Sequence, residues 1–468
     1  MKLALLNPPH PSGATFQKEI HRCGDRVHAG ELWPPTGLAT LASIARGAGW
    51  DAALVDGMLR PRDPDDFDAR VRQARPDVLA VLTSTPTVKS DLARCARLGA
   101  ELRAPVVALG THVTARPEEA LALGADAVLV GEPDATLAEA LPLGAEVRAW
   151  GRVVGVALPG HPSPARGWMD DLAALPTAAR DLLENERYTM PFTAGAPFGT
   201  VQVARGCPYA CSFCRTPAFS GRATRLRPIG AVLDELRDLR ARGVAHAALL
   251  SDTFTMNRAW VERLCDALEA SRLGVRWYCT TRVDLVDRAL CERMARAGCQ
   301  AVAFGIESAS PETLSRVGKD LRDGPATARR AVEDARSAGL VTLGYFMLGL
   351  PWETGADLAA TARFARALPL DHAFFHVATP YPGTPLFDHC LARGYLTTTD
   401  WSRYEESSLP VITTERLLPE AVLAARWVAQ AAFYADPRRL YRELARTRDT
   451  ADLWHKLKAG AALLRPGS

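Results

Sequence analysis

Three cysteines lie within eight residues: Cys207, Cys211 and Cys214, in the run Arg205-Gly206-Cys207-Pro208-Tyr209-Ala210-Cys211-Ser212-Phe213-Cys214. The spacing is C-x3-C-x2-C. Thiolates ligate iron–sulfur clusters, and a 4Fe-4S cluster normally takes four of them. Three on one tight loop leave one iron without a protein ligand, open to a small molecule. Zinc and inert thiols are the competing readings. Structural zinc sites are closed by four Cys or His, and no second C-x2-C pair accompanies this one. The other seven cysteines (Cys23, Cys95, Cys265, Cys279, Cys291, Cys299 and Cys390) have no short spacing and read as buried small hydrophobes.

A βα series must carry that loop. Strand signals fall at 201–204, 247–250, 277–280, 301–305, 341–347 and 372–378, with helical patterns at 229–240, 259–270, 325–338 and 356–367 between them. Pro325 suits a first helical position. Six parallel βα units predict an incomplete barrel, whose sites form at the strand carboxyl ends. The cysteine loop follows the first strand. After the later strands come Ser251-Asp252-Thr253-Phe254-Thr255, Thr281-Arg282-Val283-Asp284, Gly305-Ile306-Glu307-Ser308, Gly349-Leu350-Pro351-Trp352-Glu353-Thr354 and Pro380-Tyr381-Pro382-Gly383-Thr384-Pro385.

Upstream, strand signals at 3–6, 52–55, 78–82, 106–109 and 127–130 alternate with helical patterns at 33–48, 88–102, 116–123 and 135–141. Such alternation predicts a doubly wound parallel sheet, with ligand loops at its carboxyl ends. Those ends carry Asn7, Thr83-Ser84-Thr85, Gly110-Thr111-His112 and Gly131-Glu132. Residues 146–195, rich in Pro, Gly and Ala, read as a linker that packs across the next domain. The tail from about 397 has helical patterns at 419–433, 438–446 and 450–464 and no clear strand.

The 468 residues are 48% hydrophobic and 23% charged, with a net charge of +3, too small to imply nucleic-acid binding. The start, MKLALLNPPHP, breaks its apolar run at Asn7-Pro8-Pro9 before a secretory core forms. No stretch reaches the ~18 apolar residues of a membrane span. The expectation is a cytoplasmic protein.

The C-x3-C-x2-C motif after a first barrel strand, with Phe213 just before the third Cys, resembles the radical S-adenosylmethionine superfamily. The later strand-end motifs resemble its cobalamin-associated branch. LLNPP, WPPTGLATLAS, TSTPT, ALGTHVT and LVGEPDATL resemble the cobalamin-binding domain that precedes that barrel. The resemblance implies an α/β chain: a Rossmann-like cobalamin-binding domain (1–145), a linker (146–195), a partial (β/α)6 TIM-type radical barrel (196–395) and a small helical C-terminal region (396–468). It implies a 4Fe-4S cluster on Cys207, Cys211 and Cys214, with S-adenosylmethionine chelating the open iron. An electron from the cluster would cleave the sulfonium to a 5'-deoxyadenosyl radical.

By position in that family, Phe213 flanks the cluster, Asp252 meets the amino group of S-adenosylmethionine, and Arg282 and Glu307 reach its carboxylate or ribose. Ser84, Thr85 and Thr87 are candidates to hydrogen-bond the cobalamin tail. Gly110 and Gly131 would admit its close approach. Thr111, His112 and Glu132 complete the cobalamin set, with His112 as a contact rather than a cobalt ligand. Many corrinoid proteins carry Asp-x-His-x-x-Gly; no histidine here has an Asp two positions earlier.

The leading expectation is a methyltransferase acting on an unactivated carbon of a small molecule. A cyclase or rearrangement enzyme with the same cofactors stays open, as does a non-catalytic cobalamin or cluster sensor. A methylthiotransferase lacks its second cluster here. Tyr345, Met347, Tyr381 and His376 are expected near the pocket. The arginines after the cluster (Arg215, Arg222, Arg225 and Arg227) face either an acidic substrate, an electron donor such as flavodoxin or ferredoxin, or solvent. A monomer is expected.

Overall fold

The computed structural model describes residues 1–19, 25–27, 31–164, 166–190, 193, 195–437, 439 and 447. Cys23 and the helical patterns at 438–446 and 450–464, Arg439 excepted, lie outside the described residues.

The N-terminal sheet has six strands in the spatial order Asp51–Asp56, Lys2–Asn7, Val78–Leu82, Val106–Leu109, Ala127–Leu129 and Val156–Ala157. The first five are parallel and the last is antiparallel. Runs such as Val-Leu-Ala-Val-Leu are apolar without alternation because helices cover both faces. The strand order reverses between Lys2–Asn7 and Val78–Leu82, so the crevice for a ligand opens outside their carboxyl ends. The first helix is Thr36–Gly47, starting later than the apolar pattern suggests. Pro34 and Pro35 precede it because a proline ring clashes inside a helix but not at its threshold.

Residues 146–195 do more than link. They supply the antiparallel edge strand, and Val147, Trp150, Ala178 and Tyr188 enter the same core as Leu3, Leu5 and Leu41. Their Pro and Gly content hid this, because the segment folds as short 3-10 turns without a period.

The second sheet is wholly parallel, in the order His372–Val377, Val341–Leu348, Cys299–Glu307, Arg276–Arg282, His246–Leu250 and Phe198–Gln202. Its first strand starts three residues earlier than the sequence pattern indicates. Phe198 pairs with His246 and turns its ring toward Trp33 and Tyr278, which anchors an otherwise loop-like Pro-Phe-Gly-Thr. Just beyond it, Ala204–Arg205 pairs antiparallel with Arg225–Leu226, closing the base of the loop 206–224.

The end of the chain returns to its beginning. Tyr381, Phe387, Trp401, Tyr404 and Val411 share one apolar core with Leu6, Val81, Leu92 and Val113. Tyr381 is therefore part of this joint core rather than a pocket wall. Helix Pro419–Tyr434 lies on strand His372–Val377 and helix Gly355–Ala367. No helix among the described residues is long and apolar enough to cross a membrane.

Candidate functional site

The cysteine loop leaves the first barrel strand through Gly206, whose φ is +86°; a Cβ there would stand 2.1 Å from the Ala223 carbonyl oxygen. Only glycine fits that turn. Asp252, after the second strand, clamps the loop: it accepts from the Gly206 N–H (2.7 Å) and from Thr216 Oγ1 (2.9 Å). Both its oxygens thus meet the thiol loop. Thr253 Oγ1 lies 3.3 Å from Cys207 Sγ. Cys214 N–H donates to Cys211 O (3.0 Å), and Ser212 N–H to Val317 O (2.9 Å). Phe213 and Met347 pack on Val317, Leu350 and Leu386.

All three thiols are free and half-buried. Burial pushes Cys211 up from the ordinary thiol range, while Lys319 and Arg282 pull the other way. Burial pushes Cys214 up to about 11 against hydrogen bonds from Thr216. Such thiols ionise when a metal compensates their charge. No group of three His, Cys, Asp or Glu among the described residues is spaced to hold one metal ion. A cuboidal cluster takes one thiolate per iron, so its ligands need not converge on a point.

Arg282 and Glu307 flank this loop. Arg282 chelates Asp284 (2.9 and 3.0 Å) and lies over the Tyr209 ring at 3.6 Å. Its Nη1 is buried with no hydrogen-bond partner among the described residues. An unspent guanidinium N–H beside the cluster loop suits a carboxylate ligand. Glu307 adopts φ +65°, a left-handed conformation costly for a side-chain-bearing residue and common at functional sites. Lys319 Nζ holds it, donating to Glu307 Oε1 (2.9 Å) and Gly305 O (2.7 Å). Motif reading missed Lys319. Its signal was its type: lysine is rare among the 56 basic residues of this chain.

In the N-terminal domain the candidate residues are brought together but largely occupied. Ser84 Oγ and Thr87 Oγ1 share a hydrogen bond (2.9 Å), and Thr87 donates to Asp91 (2.5 Å). Asp91 pairs with Lys18 (3.0 Å), and both side chains are fully buried. His112 is fully buried too. Its Nδ1 meets Thr85 Oγ1 (3.2 Å), its Nε2 stands 3.8 Å from Glu119, and its ring sits edge-on to Trp401 at 5.2 Å. Gly110 takes φ +122° where a Cβ would be 2.4 Å from Thr83 O, so its glycine admits the neighbouring loop backbone. Gly131 has φ +87° and donates its N–H to Thr114.

Glu132 turns to the other domain, accepting two bonds from Arg225 (2.8 and 2.7 Å). Three of the four arginines after the cluster are likewise buried inward. Arg215 donates to Thr111 O and Arg227 to Glu235 (2.7 Å); Arg222 alone is exposed. Neither a solvated loop nor a docking face describes Arg215, Arg225 and Arg227. On the barrel wall, Tyr345 is half-buried against Phe374 (5.6 Å) and His376 (5.7 Å), and His376 pairs with Glu406 (3.0 Å). Between the two sheets a small cleft is lined by Glu19, Thr36, Thr40, Gln202, Arg205 and Leu250.

Residues 201–365 match the Radical SAM superfamily, and residues 23–141 match the B12 binding domain. An uncharacterized methyltransferase of Pyrococcus horikoshii is 31% identical, covering 95% of this chain and 95% of its own. The anaerobic magnesium-protoporphyrin IX monomethyl ester cyclase of Rubrivivax gelatinosus is 29% identical, covering 76% of this chain and 66% of its own. The solved structure of the radical S-adenosylmethionine methyltransferase TsrM from Kitasatospora setae, with cobalamin and a 4Fe-4S cluster bound, shares the fold. It aligns at TM-score 0.74 and 19% identity over 98% of this chain and 99% of its own. The thiol loop on a radical barrel, joined in one chain to a doubly wound domain of this kind, makes the protein a member of the B12-binding branch of the radical S-adenosylmethionine enzymes, with a 4Fe-4S cluster, S-adenosylmethionine and cobalamin as its cofactors.

Proposed function

We propose that this enzyme transfers a methyl group to an unactivated carbon of a small-molecule biosynthetic intermediate. The observation that supports it most is the end-to-end match to a chain named as a methyltransferase. Cys207, Cys211 and Cys214 would hold the cluster, and the loops at 84–87, 110–112 and 131 would face cobalamin. When bound, these groups supply a carbon-centred oxidant and a transferable methyl group.

The chain's own residues do the rest. Asp252 and Thr253 keep the thiol loop closed on the barrel. The unspent Arg282 Nη1 takes a ligand carboxylate, and Glu307, held by Lys319, accepts from an amino or hydroxyl donor. Phe213, Met347 and Leu350 exclude water from the loop, as reactive carbon centres require. Tyr345, Phe374 and His376 offer the substrate an aromatic wall. We place the enzyme in the cytoplasm as a monomer fed by a flavodoxin- or ferredoxin-type donor.

Anaerobic reconstitution with iron, sulfide and cobalamin tests this reading, with 5'-deoxyadenosine measured after adding reductant and S-adenosylmethionine. Wild type should form it, Cys211→Ala should not, and cobalamin should survive desalting in both. Bound cobalamin with no 5'-deoxyadenosine from wild type, candidate substrates included, would point to a sensor. Turnover without a methylated product would favour the cyclase chemistry named for the Rubrivivax relative.

A further inference from the structure

We infer that the cobalamin domain holds the iron–sulfur loop in position, through Arg205, Arg215 and Arg225 on the loop and through Glu132, Asp134 and the Thr111 carbonyl opposite them. The inference rests on reading Cys207, Cys211 and Cys214 as cluster ligands.

The three arginines are placed where they control the loop. Arg205 stands two residues before Cys207. Arg215 follows Cys214 directly. Arg225 faces Arg205 across the two-residue ladder that closes the loop's base. Each one crosses to the other domain. Arg205 makes a fork to Asp134 (2.7 and 3.2 Å), and Arg225 makes another to Glu132 (2.7 and 2.8 Å). Arg205 also stands 3.8 Å from Glu132, tying the two forks together. Arg215 Nη2 donates to Thr111 O at the start of helix Thr111–Ala115, which follows strand Val106–Leu109. Glu132 is the N-cap of helix Pro133–Ala140 and Asp134 lies in its first turn, just beyond the carboxyl end of strand Ala127–Leu129.

The four charged side chains are 2 to 7% exposed. Buried ion pairs seldom exceed apolar packing of equal volume in net stability. What they add is orientation, because a planar guanidinium held bidentately has one geometry. The barrel grips the same loop as well, through Asp252 and Thr253, through the Val317 carbonyl that accepts from Ser212 and through Arg282 over Tyr209. The loop is thus a bridge clamped by both domains, and its thiols are fixed relative to the face that receives cobalamin. Simple domain glue would leave the cluster's own properties unmoved; a positioning clamp would not.

The test uses the full-length, cobalamin-loaded, reconstituted protein. It measures iron and sulfide per chain, the EPR spectrum of the reduced cluster, iron loss to a chelator, and the thermal midpoint. Asp134→Asn should lose iron roughly 10- to 100-fold faster than wild type and shift the EPR signal, as disturbed outer-shell partners do. The double variant Asp134→Asn with Arg205→Gln removes the stranded charge and should recover the thermal midpoint but not the slow iron loss. Asp134→Glu, which restores the carboxylate, should recover both. If Asp134→Asn does not fold, Arg215→Lys decides, since it keeps the charge and shortens the reach to Thr111. Wild-type iron loss and EPR in the double variant and in Arg215→Lys would overturn the inference. A wild-type chain that takes up no cluster would instead overturn the reading on which it rests.

Discussion

Two lysines are buried against carboxylates, one in each domain, and their surroundings differ. Lys18 Nζ meets both Asp91 oxygens (3.1 and 3.0 Å) and the Pro8 carbonyl (2.9 Å). Thr87 and Ser84 extend the chain of bonds, and no residue from Ser84 to Asp91 takes a positive φ. This pair staples the loop after the first strand to helix Val88–Leu102. Lys319 meets Glu307 at the edge of the thiol loop, on a left-handed backbone, with the unpartnered Arg282 Nη1 nearby. The ion pairs are alike. Strain and unspent hydrogen-bonding capacity separate the second, a candidate site, from the first, a brace.

Breaking the brace should cost most. Lys18→Met leaves Asp91 buried without its cation and should destabilise the fold by about 3–5 kcal/mol in denaturant titration. Burial already pushes the Asp91 carboxyl up to about 6 with Lys18 present. Without Lys18 it rises further, so the folded variant keeps a proton that the unfolded chain releases. Above the unfolded carboxyl range, near pH 4, each step up in pH then favours the unfolded chain. The penalty should therefore be larger near pH 7 than near pH 5; a penalty independent of pH would break the comparison.

Disturbing the site pair should show in chemistry instead. Glu307→Gln removes the charge from a bond worth about 1.5–3 kcal/mol. It should lower 5'-deoxyadenosine formation roughly 10- to 100-fold while moving the thermal midpoint less than Lys18→Met does. An equal loss of stability would make Glu307 a second brace.

A carboxylate without any lysine sharpens the contrast. Glu353 is buried on the Gly349 and Leu350 N–H groups (2.9 and 3.0 Å), and burial pushes it up to about 7 from 4.5. A raised carboxyl costs stability as pH climbs through that interval and nothing further above it. Glu353→Gln should flatten that slope and leave the variant relatively more stable at alkaline pH. This is the smallest effect of the set, and parallel wild-type and variant profiles would contradict it.

The thiol loop, the order of βα units and the strand-end motifs could be read from spacing because each is local in the chain. What sequence hid was pairing across domains. Arg215, Arg225 and Arg227 look like a basic surface until Thr111, Glu132 and Glu235 are seen opposite them. Ser84 and Thr87 sit where a ligand loop should be, yet Asp91 claims them from within the same helix-loop unit. Asp252 lies at the expected strand end, but the partner of its carboxylate depends on a backbone N–H at position 206 that no side-chain pattern reveals. The share that residues 146–195 take in the N-terminal core was hidden for a related reason: their contacts carry no period.

The joint core of Tyr381, Phe387, Trp401, Tyr404 and Val411 with Leu6, Val81 and Val113 has a consequence for synthesis. The N-terminal domain lacks part of its interior until Tyr381 to Val411 have been synthesised. Contacts of such long sequence separation are slow to form, and the unfinished apolar face stays exposed meanwhile. The N-terminal domain therefore waits for Tyr381 to Val411 before it can finish folding, and so do the loops proposed to face cobalamin.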